Sequence, residues 1–307
     1  MNSRGKELCI LAVAALILTM AHGCSINRMA ANRLADALAG SGVVFASDND
    51  PELVREAVPF SLKLMEGVLQ ETPKHRGLLL AAARGFTQYA YAFVQQDADE
   101  VESRDLAAAR ALRDRARTLY VRARDYGLRG LSVGRDGFGD ALRARPKQAV
   151  RQVGRNDVAL LYWTAASWGA AIALSKDNPE MVADAPIVEA LIDRALELDE
   201  AFDMGAVHTF LITYEMTRKG AAGDPAERAR RHFARARELA GDSSASPFVA
   251  FAEQVLVQTQ NRAEFLSTLD RALAVDVNRY PGRRLENLVM QRRARWLQGH
   301  ADDLFAE

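Results

Sequence analysis

A short motif centred on a small alanine recurs four times: Tyr120-Val-Arg-Ala-Arg, Ile192-Asp-Arg-Ala-Leu, Phe233-Ala-Arg-Ala-Arg and Leu269-Asp-Arg-Ala-Leu. The central residues are Ala123, Ala195, Ala236 and Ala272, separated by 72, 41 and 36 residues. Those separations lie close to multiples of a period of roughly 34–36 residues, the range of helix-pair repeats. Leu64-Met-Glu-Gly-Val is a degenerate fifth copy. Between the copies, apolar residues recur at three and four, not at two, which specifies helix rather than strand. A single helix pair cannot bury its apolar face alone, so such repeats stack.

The fold class that follows is all-α, a superhelical array of tetratricopeptide-like helix pairs. The small alanine belongs near the end of the second helix of each pair, where close packing needs it. A non-repeating helical bundle is the alternative. Helix starts are marked by Asp50-Pro51, Asn178-Pro179, Asp224-Pro225 and Ser246-Pro247, each an N-cap residue before a proline at the first helical position. Gly130, Gly134, Gly137 and Gly139 form a flexible connection between pairs. Residues 49–307 are expected to make one helical domain, and residues 24–48 a tether and first helix.

Residues 1–23 read as an export signal. Arg4 and Lys6 precede an apolar stretch from Leu8 to Met20, and Gly23 stands before Cys24. The stretch is too short to span a bilayer, which takes about 20 apolar residues. A cysteine at this junction is similar to a bacterial lipobox, which makes Cys24 the lipidation site; Ser25 after it favours the outer membrane over the inner. An ordinary secretory signal with an incidental cysteine is the alternative. The other cysteine, Cys9, leaves with the signal, so no disulfide supports the exported body.

The formal net charge is zero, which excludes a strongly basic nucleic-acid binder. Charge is nonetheless uneven: residues 104–155 hold fourteen Arg or Lys against five acids, and residues 177–203 hold nine acids against one Arg. Two readings stand, helix faces that complement each other and a docking surface for an acidic partner or lipid headgroups. The residues His75, His208, His232 and His300 do not fall at helical metal spacing, and no thiol cluster exists. There is no nucleophile-elbow, P-loop or dinucleotide fingerprint. No metal, no cofactor and no catalytic set is therefore expected; a dispersed hydrolytic site around His208 and Asp157 is the rival.

Two stretches carry unusual aromatic content. In 85–100, Phe86, Tyr89 and Phe93 share one helical stripe, and Gln88, Tyr91 and Gln95 another. In 156–171, Asp157, Leu161, Thr164 and Trp168 share a face, with Asn156, Leu160, Trp163 and Ser167 beside it. Packed core is one reading. The interleaved polar groups argue for a cavity, because a buried polar group without a partner costs about 1–3 kcal/mol. Ligand cavities combine apolar walls with a few hydrogen-bonding groups. Gln88, Tyr89, Tyr91, Asn156, Trp163, Thr164, Trp168 and His208 are the expected ligand-binding residues.

Gly85-Phe-Thr-Gln-Tyr-Ala-Tyr-Ala-Phe, the Tyr126-Gly-Leu-Arg-Gly turn, Leu161-Tyr-Trp-Thr-Ala-Ala-Ser-Trp-Gly, Ala206-Val-His-Thr-Phe and Ser246-Pro-Phe-Val-Ala-Phe-Ala-Glu together resemble the T-component lipoproteins of TRAP (tripartite ATP-independent periplasmic) transporters. The resemblance covers most of the chain after the signal. It implies a non-enzymatic, lipid-anchored periplasmic protein that associates with the solute-binding P-component. It also implies a groove or pore for a hydrophobic or amphipathic solute, and self-association as a trimer. An envelope-assembly scaffold without a small-molecule ligand is the rival in a different class.

Overall fold

The fold is given by a computed structural model that describes residues 29–241 and 243–306. Cys24 and the export signal lie outside the described residues. Among the described residues every regular element is helical, and no helix is long and apolar enough to cross a membrane.

An N-terminal helical segment (residues 29–40 and Gly42–Ala46) leads into ten principal helices. They are α1 (Pro51–Glu71), α2 (Arg76–Tyr89), α3 (Leu106–Ser132), α4 (Val158–Ala173), α5 (Ala185–Leu198), α6 (Ala206–Glu215), α7 (Pro225–Ala240), α8 (Ser246–Phe251), α9 (Arg262–Leu273) and α10 (Arg284–Gly299). Both α2 and α8 run on through a π-helical turn, Ala90–Gln95 and Ala252–Leu256 respectively.

Local chemistry fixes the helix starts. The Asp50 carboxylate accepts from the backbone N–H of Glu52 and Leu53, and Asn178 and Asp224 cap their helices in the same way. Ser246 does not: it sits inside the first turn of α8, and its hydroxyl donates to Glu286 on α10.

The helices pack in consecutive pairs in two layers. The second helices α2, α4, α6, α8 and α10 face a common interior, with α6 against α8 and α8 against α10. Of the first helices, α7 and α9 contribute nothing to that interior and α3 contributes only Tyr120. Ala123, Ala195, Ala236 and Ala272 are all fully buried. They lie on α3, α5, α7 and α9, so the repeated alanine belongs to the first helix of each pair, not the second. The fifth copy departs from the pattern, because Gly67 is exposed on α1.

The last inner helix returns to the first. On α10, Arg292 pairs with Asp97 (2.7 Å) and Glu100 (2.6 Å), Arg293 pairs with Asp99 (3.0 Å), and Arg284 donates to the Ser47 carbonyl (3.0 Å).

Two glycines set the tightest crossing. A Cβ on Gly127 would stand 2.2 Å from Thr164 Oγ1, and one on Gly130 2.6 Å from Leu160 Cδ2. The 126–130 segment is therefore a stretch of α3 laid against α4, not a turn, and Gly130 is a packing residue rather than part of a flexible link. Gly134 and Gly137, at φ +76° and +67°, do form the turn beyond α3. The basic and acidic stretches meet in part through Lys147–Glu189 and Arg155–Asp199, each 3.5 Å.

Candidate functional site

The inner helices surround a cavity of about 1820 Å³. Small-molecule pockets are commonly about 300–1,000 Å³, so this space exceeds what a compact small molecule fills. Its aromatic wall comes from Tyr89 at the end of α2 and Phe93 on its continuation, Tyr162 and Trp163 on α4, Phe202 before α6, and Phe210 and Tyr214 on α6. Tyr162 meets the edge of Trp163 at 5.0 Å and Phe202 at 5.4 Å. Gly169 makes room for Phe210, whose ring would lie 3.4 Å from an added Cβ.

Two polar clusters interrupt this wall. The first sits where both π-helical turns approach α10. Arg293 is 7% exposed and pairs with Glu253 (2.5 Å) and Asp99 (3.0 Å). Burial opposes its charge, and the Glu253 carboxylate outweighs that, so the guanidinium titrates above its ordinary range. Tyr91 donates its hydroxyl to the Met290 sulfur at 3.8 Å, and burial raises its pKa. Gln96 is fully buried beside it without a well-formed hydrogen bond. A π turn re-aims side chains in this way, and such turns concentrate at functional sites.

The second cluster centres on Arg283, which holds Asp203 (2.8 Å) and Glu286 (2.9 Å); Glu286 also accepts from Ser244 (3.3 Å) and Ser246. Asp203 and Met204 have φ of 45° and 55°, a left-handed backbone that costs a non-glycine residue about 1–2 kcal/mol. Arg283 braces that turn by donating to the Asp203 carbonyl at 2.6 Å. Both strained residues line the cavity.

The expected ligand-binding residues divide. Gln88, Tyr89, Tyr91 and Trp163 line the cavity together. Asn156, Thr164, Trp168 and His208 do not. Asn156 is exposed in the 3-10 turn Arg155–Asp157. Thr164 faces Gly127, with its hydroxyl donating to the Leu160 carbonyl at 2.6 Å. Trp168 is 1% exposed, its indole N–H donates to Asp184 at 3.1 Å, and Arg124 lies over its ring at 5.1 Å. The polar atoms of Thr164 and Trp168 are satisfied within the protein, which removes the reason for assigning those two to a ligand.

His208 is buried in a pair with His232, Nδ1 to Nδ1 2.8 Å, with Glu200 3.4 Å from its other nitrogen. Asp157 is held between Arg76 and Arg135. His208 and Asp157 thus belong to separate clusters. Among the described residues no group of three or more His, Cys, Asp or Glu could hold a metal ion.

Sequence reasoning chose His208 on α6 and missed the residues of α6 and α8 that face the cavity. The signal was present: Thr209, Phe210, Thr213, Tyr214 and Thr217 repeat at i, i+1, i+4, i+5 and i+8, the same aromatic–polar mixture as in 85–100. All five line the cavity.

This arrangement can be compared with known proteins. The family model described as TRAP transporter T-component matches residues 47–305. The chain belongs to that family. It is also similar to an uncharacterized protein of Treponema pallidum (strain Nichols), 30% identical over an alignment of 325 positions that covers 100% of each chain. The match to the T-component family spans all ten principal helices, so both polar clusters and the aromatic wall lie within it. T-components are accessory subunits of TRAP transporters, which implies association with other transporter components.

Proposed function

We infer that this T-component is tethered through Cys24 to the periplasmic face of the outer membrane. There it docks the solute-binding P-component of its transporter and holds a hydrophobic or amphipathic solute. Its helix pairs are of the tetratricopeptide kind, curved around the cavity. The observation that carries the reading is that cavity: aromatic along much of the wall, with hydrogen-bonding side chains such as Gln88, Thr209 and Thr213 among the rings and two braced ionic clusters, and larger than a compact metabolite needs. The charge there also bears on the solute. Arg283 and Arg293 are each already paired with two carboxylates, so neither guanidinium is spare for an anionic headgroup. A solute with an apolar body and a polar end fits this wall, where Arg84, Lys176 and Lys219 also border the cavity. Copurification after mild extraction, with the transporter's solute-binding subunit coexpressed, tests docking. Recovery of that subunit in near-stoichiometric amount is expected; its absence would reject the docking half of the reading.

A further inference from the structure

The N-terminal helical segment has two unlike sides. One side packs inward: Ala35 is fully buried, and Ala39, Gly42, Phe45 and Ala46 line the cavity. The other side presents apolar side chains outward, Met29 (52% exposed), Leu34 (45%), Val43 (70%) and Val44 (68%), with exposed Arg33 among them. Met29 stands five residues after Cys24. Five residues of chain reach at most about 18 Å.

We propose that the outer side of residues 29–46 lies against the lipid surface, so that the rim of the cavity is held at the bilayer. This rests on the reading of Cys24 as the lipidated residue. An acyl anchor at Cys24 places residue 29 within that 18 Å of the headgroups. Its neighbours carry the composition of an interfacial helix, apolar side chains with a basic residue among them and no apolar run long enough to cross. Burial of these side chains in the interface adds to the acyl chains, in the way that a second signal stabilises a single lipid anchor. The same segment forms part of the cavity wall, so an apolar solute would meet the cavity where it leaves the bilayer.

The test uses the natively processed protein on phosphatidylethanolamine–phosphatidylglycerol vesicles, with a polarity-sensitive nitrobenzoxadiazole label at Val44→Cys or, separately, at Asp303→Cys. Asp303 lies beyond the far end of α10, whose first turn touches the N-terminal segment. Replacing the acyl chains with brominated ones should lower emission about two-fold or more at position 44 and leave position 303 unchanged. Intact mass, read on the same samples, reports acylation of Cys24 separately. Equal emission at both positions on acylated protein would overturn the proposal and leave the lipid anchor standing. An unacylated Cys24 would overturn both. A label at 44 shielded equally without vesicles, with a doubled or tripled particle mass, would assign this face to a second copy of the chain.

Discussion

Trp163 and Trp168 lie on the same helix, five residues apart, and their replacement by alanine should have opposite consequences. Trp168 is 1% exposed, donates to Asp184 and sits under Arg124. Its removal leaves a large hole and an unpaired carboxylate, and should cost about 3–5 kcal/mol. Trp163 is half-buried, and its ring borders the cavity. It loses chiefly the edge contact with Tyr162, about 0.5–1.5 kcal/mol, and the void it leaves merges with space already open. Urea unfolding of each variant measures the difference through the midpoint at constant slope. Binding of an apolar fluorescent probe should show the reverse order, strongly weakened in Trp163→Ala and retained in folded Trp168→Ala. Equal destabilisation by the two substitutions, or unchanged probe binding in Trp163→Ala, would refute the division of α4 into a packed side and a cavity side.

Further substitutions probe the frame around the cavity. Gly127→Ala should destabilise by about 1–3 kcal/mol, because its Cβ would collide with Thr164 Oγ1; adding Thr164→Ala should recover part of that loss in a double-mutant cycle. Arg293→Ala should cost about 3–5 kcal/mol by leaving Glu253 without its cation in a largely buried site, while Asp99 keeps Arg113, measurable as a lowered urea midpoint. The His208–His232 pair should make stability depend on pH. Burial and the neighbouring His208 push His232 down to about 4, and burial lowers His208 despite Glu200. Both are therefore neutral in the folded state where the unfolded chain already binds protons. Stability should fall as pH drops from 6.5 toward 4, by at most about 1.4 kcal/mol per pH unit for each group. His232→Asn should flatten that slope in thermal melts taken across the range.

Much of the fold was legible because helix periodicity, capping residues and the alanine spacing are local signals. The alanine repeat marks positions where two helices touch; it does not say which helix of a pair carries them, and the structure puts them on the outer layer. Gly130 read as a hinge for the same reason, since a glycine that relieves a helix crossing and one that relieves a turn look alike until Leu160 is placed opposite. The cavity face of 85–100 was readable from its mixed stripes. On α4 the same mixture misled, because Thr164 and Trp168 find Leu160 and Asp184 as partners, which spacing alone cannot show. Arg293, Glu253 and Asp99 come from three separate helices, and nothing in the sequence announces that they meet.

The central claim is that the cavity takes an apolar solute. Thr213 lines it and is exposed within the wall, so Thr213→Trp should fill space rather than disturb packing. Titration with N-phenyl-1-naphthylamine, an uncharged apolar fluorophore, should saturate on the wild-type protein and lose at least about ten-fold in affinity on Thr213→Trp, a difference of about 1.4 kcal/mol, with the melting temperature unchanged. Equal saturable binding by both proteins would contradict the claim.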